Sequence, residues 1–300
     1  MTISHADLDE FAFLADEARA QGVAAPPAHR ERLPLPDGRT LSAVRYGDGA
    51  PRVVLLHGAG LNAHTWDRTA IALGVPALAI DLPGHGESSW REDAAYTPSV
   101  LAPDLARGIE EWTSGPVAVV GHSLGGFAGI EVSAQRPDLV SHLMLVDIVP
   151  GAGRGGIASL GPFYERLEFE SVDAVLDHAV AFGLGGAREQ ARRGVLLNTR
   201  ARADGVIEWK HHMARLLSPS APEAHPAEID HEAGWTALTS LEAPVTLVAG
   251  SRGFLSDDDV RAFQAARPAD PVTILDAPHN VQETAHIDLA RLVRAHIAQA

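Results

Sequence analysis

Short apolar runs bounded by turn-forming residues recur along most of this chain. They occur at residues 52–56, 77–80, 117–120, 142–146, 245–249 and 272–275, and the segments between most of them are long enough for a helix. Buried parallel strands joined by helical crossovers account for that rhythm. Ahead of the first run, two alternating stretches flank Pro36-Asp37-Gly38, turn chemistry that predicts a β-hairpin. Earlier still, Leu8, Phe11, Ala15 and Ala18 recur at helical intervals behind Ser4 and Asp7, which have capping-box spacing, until Gly22 ends the run. A last helix is read from the stripe Leu289, Leu292, Val293 and Ile297. Between Pro150 and Trp235 the strand rhythm gives way to helix-compatible patterns, beginning at the hinge-like Gly151-Ala152-Gly153-Arg154-Gly155-Gly156. At roughly 85 residues this stretch is too long for a loop and suits a lid. The expected architecture is therefore an α/β fold with a mostly parallel central sheet, its core formed by residues 1–149 and 236–300 and interrupted by a helical cap at 150–235.

Composition narrows the possible functions. The chain has 46% hydrophobic and 21% charged residues over 300 positions, ordinary for a globular protein. Lys and Arg number 24 against 39 Asp and Glu, a net charge of −15 that repels phosphate backbones and anionic lipid, so no nucleic-acid partner is expected. The absence of Cys removes a thiol nucleophile and thiolate metal sites. No apolar stretch approaches the ~18 residues of a spanning helix, and the acidic start MTISHADLDEF lacks the features of a secretory signal. A cytoplasmic protein without membrane attachment, acting on a small molecule, is the expectation.

The sharpest local motif is Gly121-His122-Ser123-Leu124-Gly125, which follows one apolar run and precedes a helix-compatible one. A serine at a tight strand-to-helix turn sits in a strained backbone with its hydroxyl pushed up from the sheet, and glycines two positions either side leave room for the bend. The helix that follows points its first amides at the same place, where they can meet negative charge developing on a carbonyl. Acyl transfer is the chemistry this favours.

Together with His57-Gly58-Ala59-Gly60 and Asp81-Leu82-Pro83-Gly84-His85-Gly86, each placed after a strand, the motif resembles the α/β-hydrolase family over nearly all of the chain except the first thirty residues and the cap. The resemblance implies an oxyanion hole built from the backbone amides of Ala59 and Leu124. It also implies a catalytic His279, which lies just beyond the last strand in Ala277-Pro278-His279-Asn280; His286 falls inside the terminal helix instead. His57, His85 and Asp81 are read as turn-stabilising residues. Many relatives carry an acid in Gly-x-x-Asp after the strand at 245–249, but here the run is Gly250-Ser251-Arg252-Gly253. Asp147, which ends the strand beside that of Ser123, is the preferred acid because ligands gather at that carboxyl edge. Asp257, with Asp258 and Asp259, is the second choice, although these suit the first turn of a helix, and Asp276 is third.

The remaining candidates have plainer readings. Trp66 is read as packing, and the adjacent His211 and His212 make a weak metal signal, so neither metal nor cofactor is expected. Arg188, Arg192, Arg193, Arg200, Arg202, Lys210 and Arg215 form a basic stretch, either solvated helix faces or a site for an anionic substrate. The expected activity is hydrolysis of a small ester through Ser123, His279 and Asp147. C–C bond hydrolysis, lactone opening and perhydrolysis fit the same residues, and a small-molecule receptor with residual hydrolysis is the reading from another class. A nucleophilic serine disfavours haloalkane and epoxide chemistry, which in this fold employs aspartate.

Overall fold

Each apolar run read as a strand forms one. The computed structural model describes residues 8–152, 160–184, 188–219 and 228–297. The hairpin is β1 (Ala28–Pro34) and β2 (Thr40–Tyr46), paired antiparallel from Ala28–Tyr46 to Pro34–Thr40. Gly38 makes the turn with φ 87°, a conformation that favours glycine. The later runs become β3 (Val53–Leu56), β4 (Ala77–Asp81), β5 (Val117–His122), β6 (Val140–Val146), β10 (Val245–Arg252) and β11 (Val272–Pro278). Their order in the sheet is β1-β2-β4-β3-β5-β6-β10-β11. Pairing from β4 to β11 is parallel, and the hairpin adds an antiparallel margin.

Helices cover both faces. In β3, Val54 and Leu56 point into one apolar layer and Val53 and Leu55 into the other; Val119 and Val120 of β5 divide in the same way. This alternation is the pleat of a strand buried on both sides. The first layer packs against α3 (Pro98–Trp112), α4 (Leu124–Gln135), α8 (His231–Ser240) and α9 (Asp257–Ala266) through Leu105, Phe127, Leu238 and Phe263. The second receives α2 (Asp67–Leu73), the terminal α11 (His286–Ile297) and α1 (Leu14–Ala20), with Ile71, Leu289 and Leu14 buried. Trp66 is wholly buried there, so its role is packing. Helix α1 is shorter than its periodicity suggested. Leu14 and Ala18 form its inner stripe, Ala15 faces outward, and Gly22 at φ 70° stops the chain while Val23 N–H closes onto Ala18 O. Ser4 and Asp7 lie outside the described residues.

Between β6 and β10 the chain leaves the sheet and builds α5 (Val172–Ala181), α6 (Arg188–Asn198) and α7 (Met213–Leu217) around a separate aromatic cluster that includes Phe163, Phe169 and Trp209. This region also contains strands: β7 (Glu168–Phe169), β8 (Thr199–Ala201) and β9 (Ile207–Trp209) form an antiparallel sheet in the order β7-β9-β8. Strands of two or three residues are too short to show alternation, but Asp204-Gly205 between β8 and β9 is hairpin chemistry. Gly205 adopts φ 86° in that turn. Most of the Gly-rich stretch after Ala152 lies outside the described residues.

Candidate active site

Parallel strands all end on the same edge, and the loops that leave that edge meet above it. Ser123 stands between β5 and α4 with φ 51° and ψ −120°, a strained conformation for a residue with a side chain. The flanking glycines have the steric role their spacing predicts. A Cβ at Gly121 would come within 2.6 Å of Gly126 Cα, and one at Gly125 within 2.6 Å of His57 O. Ser123 is largely buried, at 8% exposure.

The loop after β3 presses on this turn. A Cβ at Gly58 would lie 3.2 Å from Ser123 Cβ and 2.8 Å from His122 Nδ1, so the backbone of His57-Gly58-Ala59-Gly60 reaches the serine only because position 58 is bare. Ala59 follows directly. Leu124 opens α4, where a helix's first amides have no acceptor within the helix. His57 fixes the loop: its Nε2 accepts from Leu82 N–H at 2.9 Å, which leaves the proton on Nδ1 to donate to Gly58 O at 2.8 Å. Burial lowers the pKa of His57 and keeps it neutral. Asp81 is likewise structural. It accepts from the amides of Ala63 and Glu87 at 2.7 and 3.1 Å and pairs with Arg30 at 2.7 Å. His85 is buried behind the same turn, with Nδ1 3.2 Å from Pro83 O.

At the far side of the edge, His279 follows β11 and its Nδ1 lies 2.7 Å from Asp147 Oδ2. Asp147 directly follows β6, fully buried and with a positive φ of 52°. Its carboxylate also accepts from Gly250 N–H at 2.9 Å and Phe254 N–H at 2.7 Å. The bare position at Gly253 explains this arrangement, because a Cβ there would run into both Asp147 carboxylate oxygens. Phe254 lays its ring flat on the His279 imidazole, with centroids 3.6 Å apart and planes 13° from parallel. Neither Phe254 nor its stacking was read from the sequence, since an exposed aromatic in a loop carries no periodicity. His279 is tied to the serine turn by its backbone: His122 Nε2–H donates to His279 O at 3.0 Å. Among the described residues the structure makes the His279–Asp147 bond but no hydrogen bond between Ser123 and His279.

The other acids are placed elsewhere. Ser256 and Asp259 form a capping box, and Asp257, Asp258 and Asp259 occupy the first turn of α9. Asp276 is exposed and pairs with Arg252. His286 is the first residue of α11. The basic stretch is balanced by neighbouring acids: Arg188 by Asp177, Arg192 by Asp173, Arg193 by Asp67, Arg200 and Arg215 by Glu208, Arg202 by Asp204, and Lys210 by Glu87. An anion site made from that run is therefore not what the structure presents. His212 bonds to Tyr96 Oη at 2.8 Å, whereas His211 is buried beside Tyr164. No group of three or more His, Asp or Glu side chains comes together as a metal ion would need among the described residues. Nor is any described helix long and apolar enough to cross a membrane.

Comparison with known proteins agrees with this architecture. A model described as the alpha/beta hydrolase family matches residues 53–292. The chain is 40% identical over 263 residues to esterase Rv0045c of Mycobacterium tuberculosis, covering 84% of this chain and 83% of that protein. A solved structure of that esterase superposes with a TM-score of 0.83 at 37% identity, over 97% of this chain and 99% of the other. Lipase LipV of the same organism is 40% identical over 109 residues, 36% of this chain and 41% of LipV. The structure of E-2-(acetamidomethylene)succinate hydrolase, with a TM-score of 0.75 over 91% of this chain and 100% of the other, shares the fold at 22% identity.

Proposed function

The chain belongs to the alpha/beta hydrolase family, and from that premise we propose that it is a serine-dependent esterase whose catalytic residues are Ser123, His279 and Asp147. Ser123 Oγ attacks the ester carbonyl while His279 Nε2 takes its proton and then returns it to the departing alcohol. Asp147 accepts from His279 Nδ1–H, which fixes the tautomer and stabilises the imidazolium. The amides of Ala59 and Leu124 donate to the oxyanion, and water, deprotonated by the same imidazole, releases the acid.

The observation that carries this reading is the 2.7 Å His279–Asp147 bond, made above the carboxyl edge from which the strained Ser123 turn rises. The likeness to an esterase over most of both chains supports the substrate class. We assign residues 150–235 to the cap and 1–149 with 236–300 to the core. Helix α8 crosses residue 235 and packs its Leu238 into the core layer.

The test is direct. Ser123→Ala abolishes turnover of p-nitrophenyl esters and labelling by a serine-directed phosphonate, and Asp147→Asn lowers kcat on the order of 10⁴-fold. Phosphonate labelling that persists in the Ser123 variant refutes the nucleophile, and near-normal turnover in the Asp147 variant moves the acid elsewhere.

A further inference from the structure

The segment between β6 and β10 brings two polar side chains, Tyr164 and His211, down onto the loop after β3. A Cβ at Gly60 would lie 3.2 Å from Tyr164 Oη and 4.0 Å from His211 Nε2. Both residues are buried, at 5% and 1% exposure. Their protons can be followed. Ala214 N–H donates to His211 Nδ1 at 3.2 Å, so in the neutral ring the proton sits on Nε2. Burial holds that ring neutral, its pKa lowered to about 3. Nε2–H then faces Tyr164 Oη across a long bond of 3.5 Å, and the tyrosine oxygen is the acceptor. Tyr164 must send its own proton elsewhere, and burial raises its pKa, so it keeps that proton. Tyr164 Oη also faces the loop at Gly60.

Within the loop, Gly58 faces Ser123 and Gly60 faces Tyr164, with Ala59 between them. A substrate whose carbonyl oxygen lies on the Ala59 amide has the serine on one side and the Tyr164 hydroxyl on the other. We propose that Tyr164, oriented by His211, is a substrate-binding donor that selects esters carrying a hydrogen-bond acceptor, such as an ether or carbonyl oxygen, two or three bonds from the reacting carbonyl. This rests on the Ser123 hydrolase reading and adds to it a preferred substrate class. A buried donor left unpaired by a purely alkyl ester supplies the discrimination.

The test uses two p-nitrophenyl esters of the same shape, methoxyacetate and butyrate, which differ by an oxygen in place of a methylene. The ratio of their kcat/KM values is measured in the wild type and in Tyr164→Phe, so that the esters' intrinsic reactivities cancel. The expected result is a roughly five- to tenfold fall in the methoxyacetate-to-butyrate ratio. His211→Phe, which releases the tyrosine proton from its fixed direction, lowers the same ratio by a smaller factor. An unchanged ratio in a Tyr164→Phe protein that still hydrolyses butyrate overturns the proposal, as does an equal loss on both esters. Failure of the underlying hydrolase reading has a different signature, turnover of both esters surviving in Ser123→Ala.

Discussion

Asp147 holds a backbone conformation, φ 52°, that costs a residue with a side chain about 1–2 kcal/mol, and it holds that conformation where three donors converge on its carboxylate. The space that carboxylate fills is the space a side chain at Gly253 would need. Positions 147 and 253 therefore compete for a single volume beside His279, and an acid can be supplied from either side of it. Gly253 itself has no positive φ to preserve, so a side chain can be introduced there once Asp147 is removed. We predict that Asp147→Gly, which also relieves the strained φ, lowers esterase turnover on the order of 10⁴-fold. The double variant Asp147→Gly with Gly253→Asp recovers at least about tenfold over it, a modest part of the ~10⁴-fold that the acid is worth. Steady-state kinetics on a p-nitrophenyl ester check this; a double variant no better than the single one shows that the two positions do not share a site.

At the scale of elements, legibility followed local signal. The six parallel strands are readable because each is a mostly apolar run closed by turn residues, and the meeting of Asp147 with His279 is readable because both leave the same edge of such strands. The small β7-β9-β8 sheet was missed although Asp204-Gly205 marks its turn, because two- and three-residue strands carry no period. The approach of Tyr164 and His211 to Gly60 had no sequence signal at all, since it depends on how an entire segment folds back over the sheet. Helix α6 ties that segment to the core at two places. Arg193 of α6 reaches the buried Asp67 at the start of α2, and Asp67 also accepts from Tyr46 and lies 3.1 Å from His64. Asn198 at the end of the same helix accepts from Asn62 at 2.6 Å. Removing Arg193 leaves a buried carboxylate short of a cation, so Arg193→Ala should destabilise the protein by about 3 kcal/mol, read from denaturant unfolding. In an Asp67→Asn background the same substitution should cost much less. Equal costs in the two backgrounds would mean that Arg193 acts through packing alone.

Over the whole molecule, two sets of buried histidines set opposite slopes of stability against pH. His57, His85, His122 and His211 are fully buried, and burial lowers the pKa of each. In the unfolded chain they protonate near the ordinary value of about 6.5, so below that pH the unfolded state binds protons that the native state refuses. Stability is then lost as pH falls, by up to about 1.4 kcal/mol per pH unit for each such ring. His64 behaves in the reverse way. Burial pushes its pKa down, but the carboxylates of Asp67 and Glu10 outweigh that effect, and the Arg30 charge beside it, and hold it at about 9. Its contribution is complete below about 6.5 and lost as pH rises through 9. The carboxylates of Glu10, Asp67 and Asp81 are all held below their ordinary range, so their contribution is complete above about pH 5 and is lost below it, where the unfolded chain takes up protons first. The melting temperature should therefore peak near pH 6.5, falling steeply toward pH 5 and more gently toward pH 9. In His64→Gln the alkaline fall flattens while the acid side is unchanged, and in His211→Phe the acid side becomes shallower. A melting temperature that stays level from pH 5 to 7 would show that these imidazoles reach solvent and protonate freely in the native state, and with them the neutral ring that orients Tyr164 would be lost.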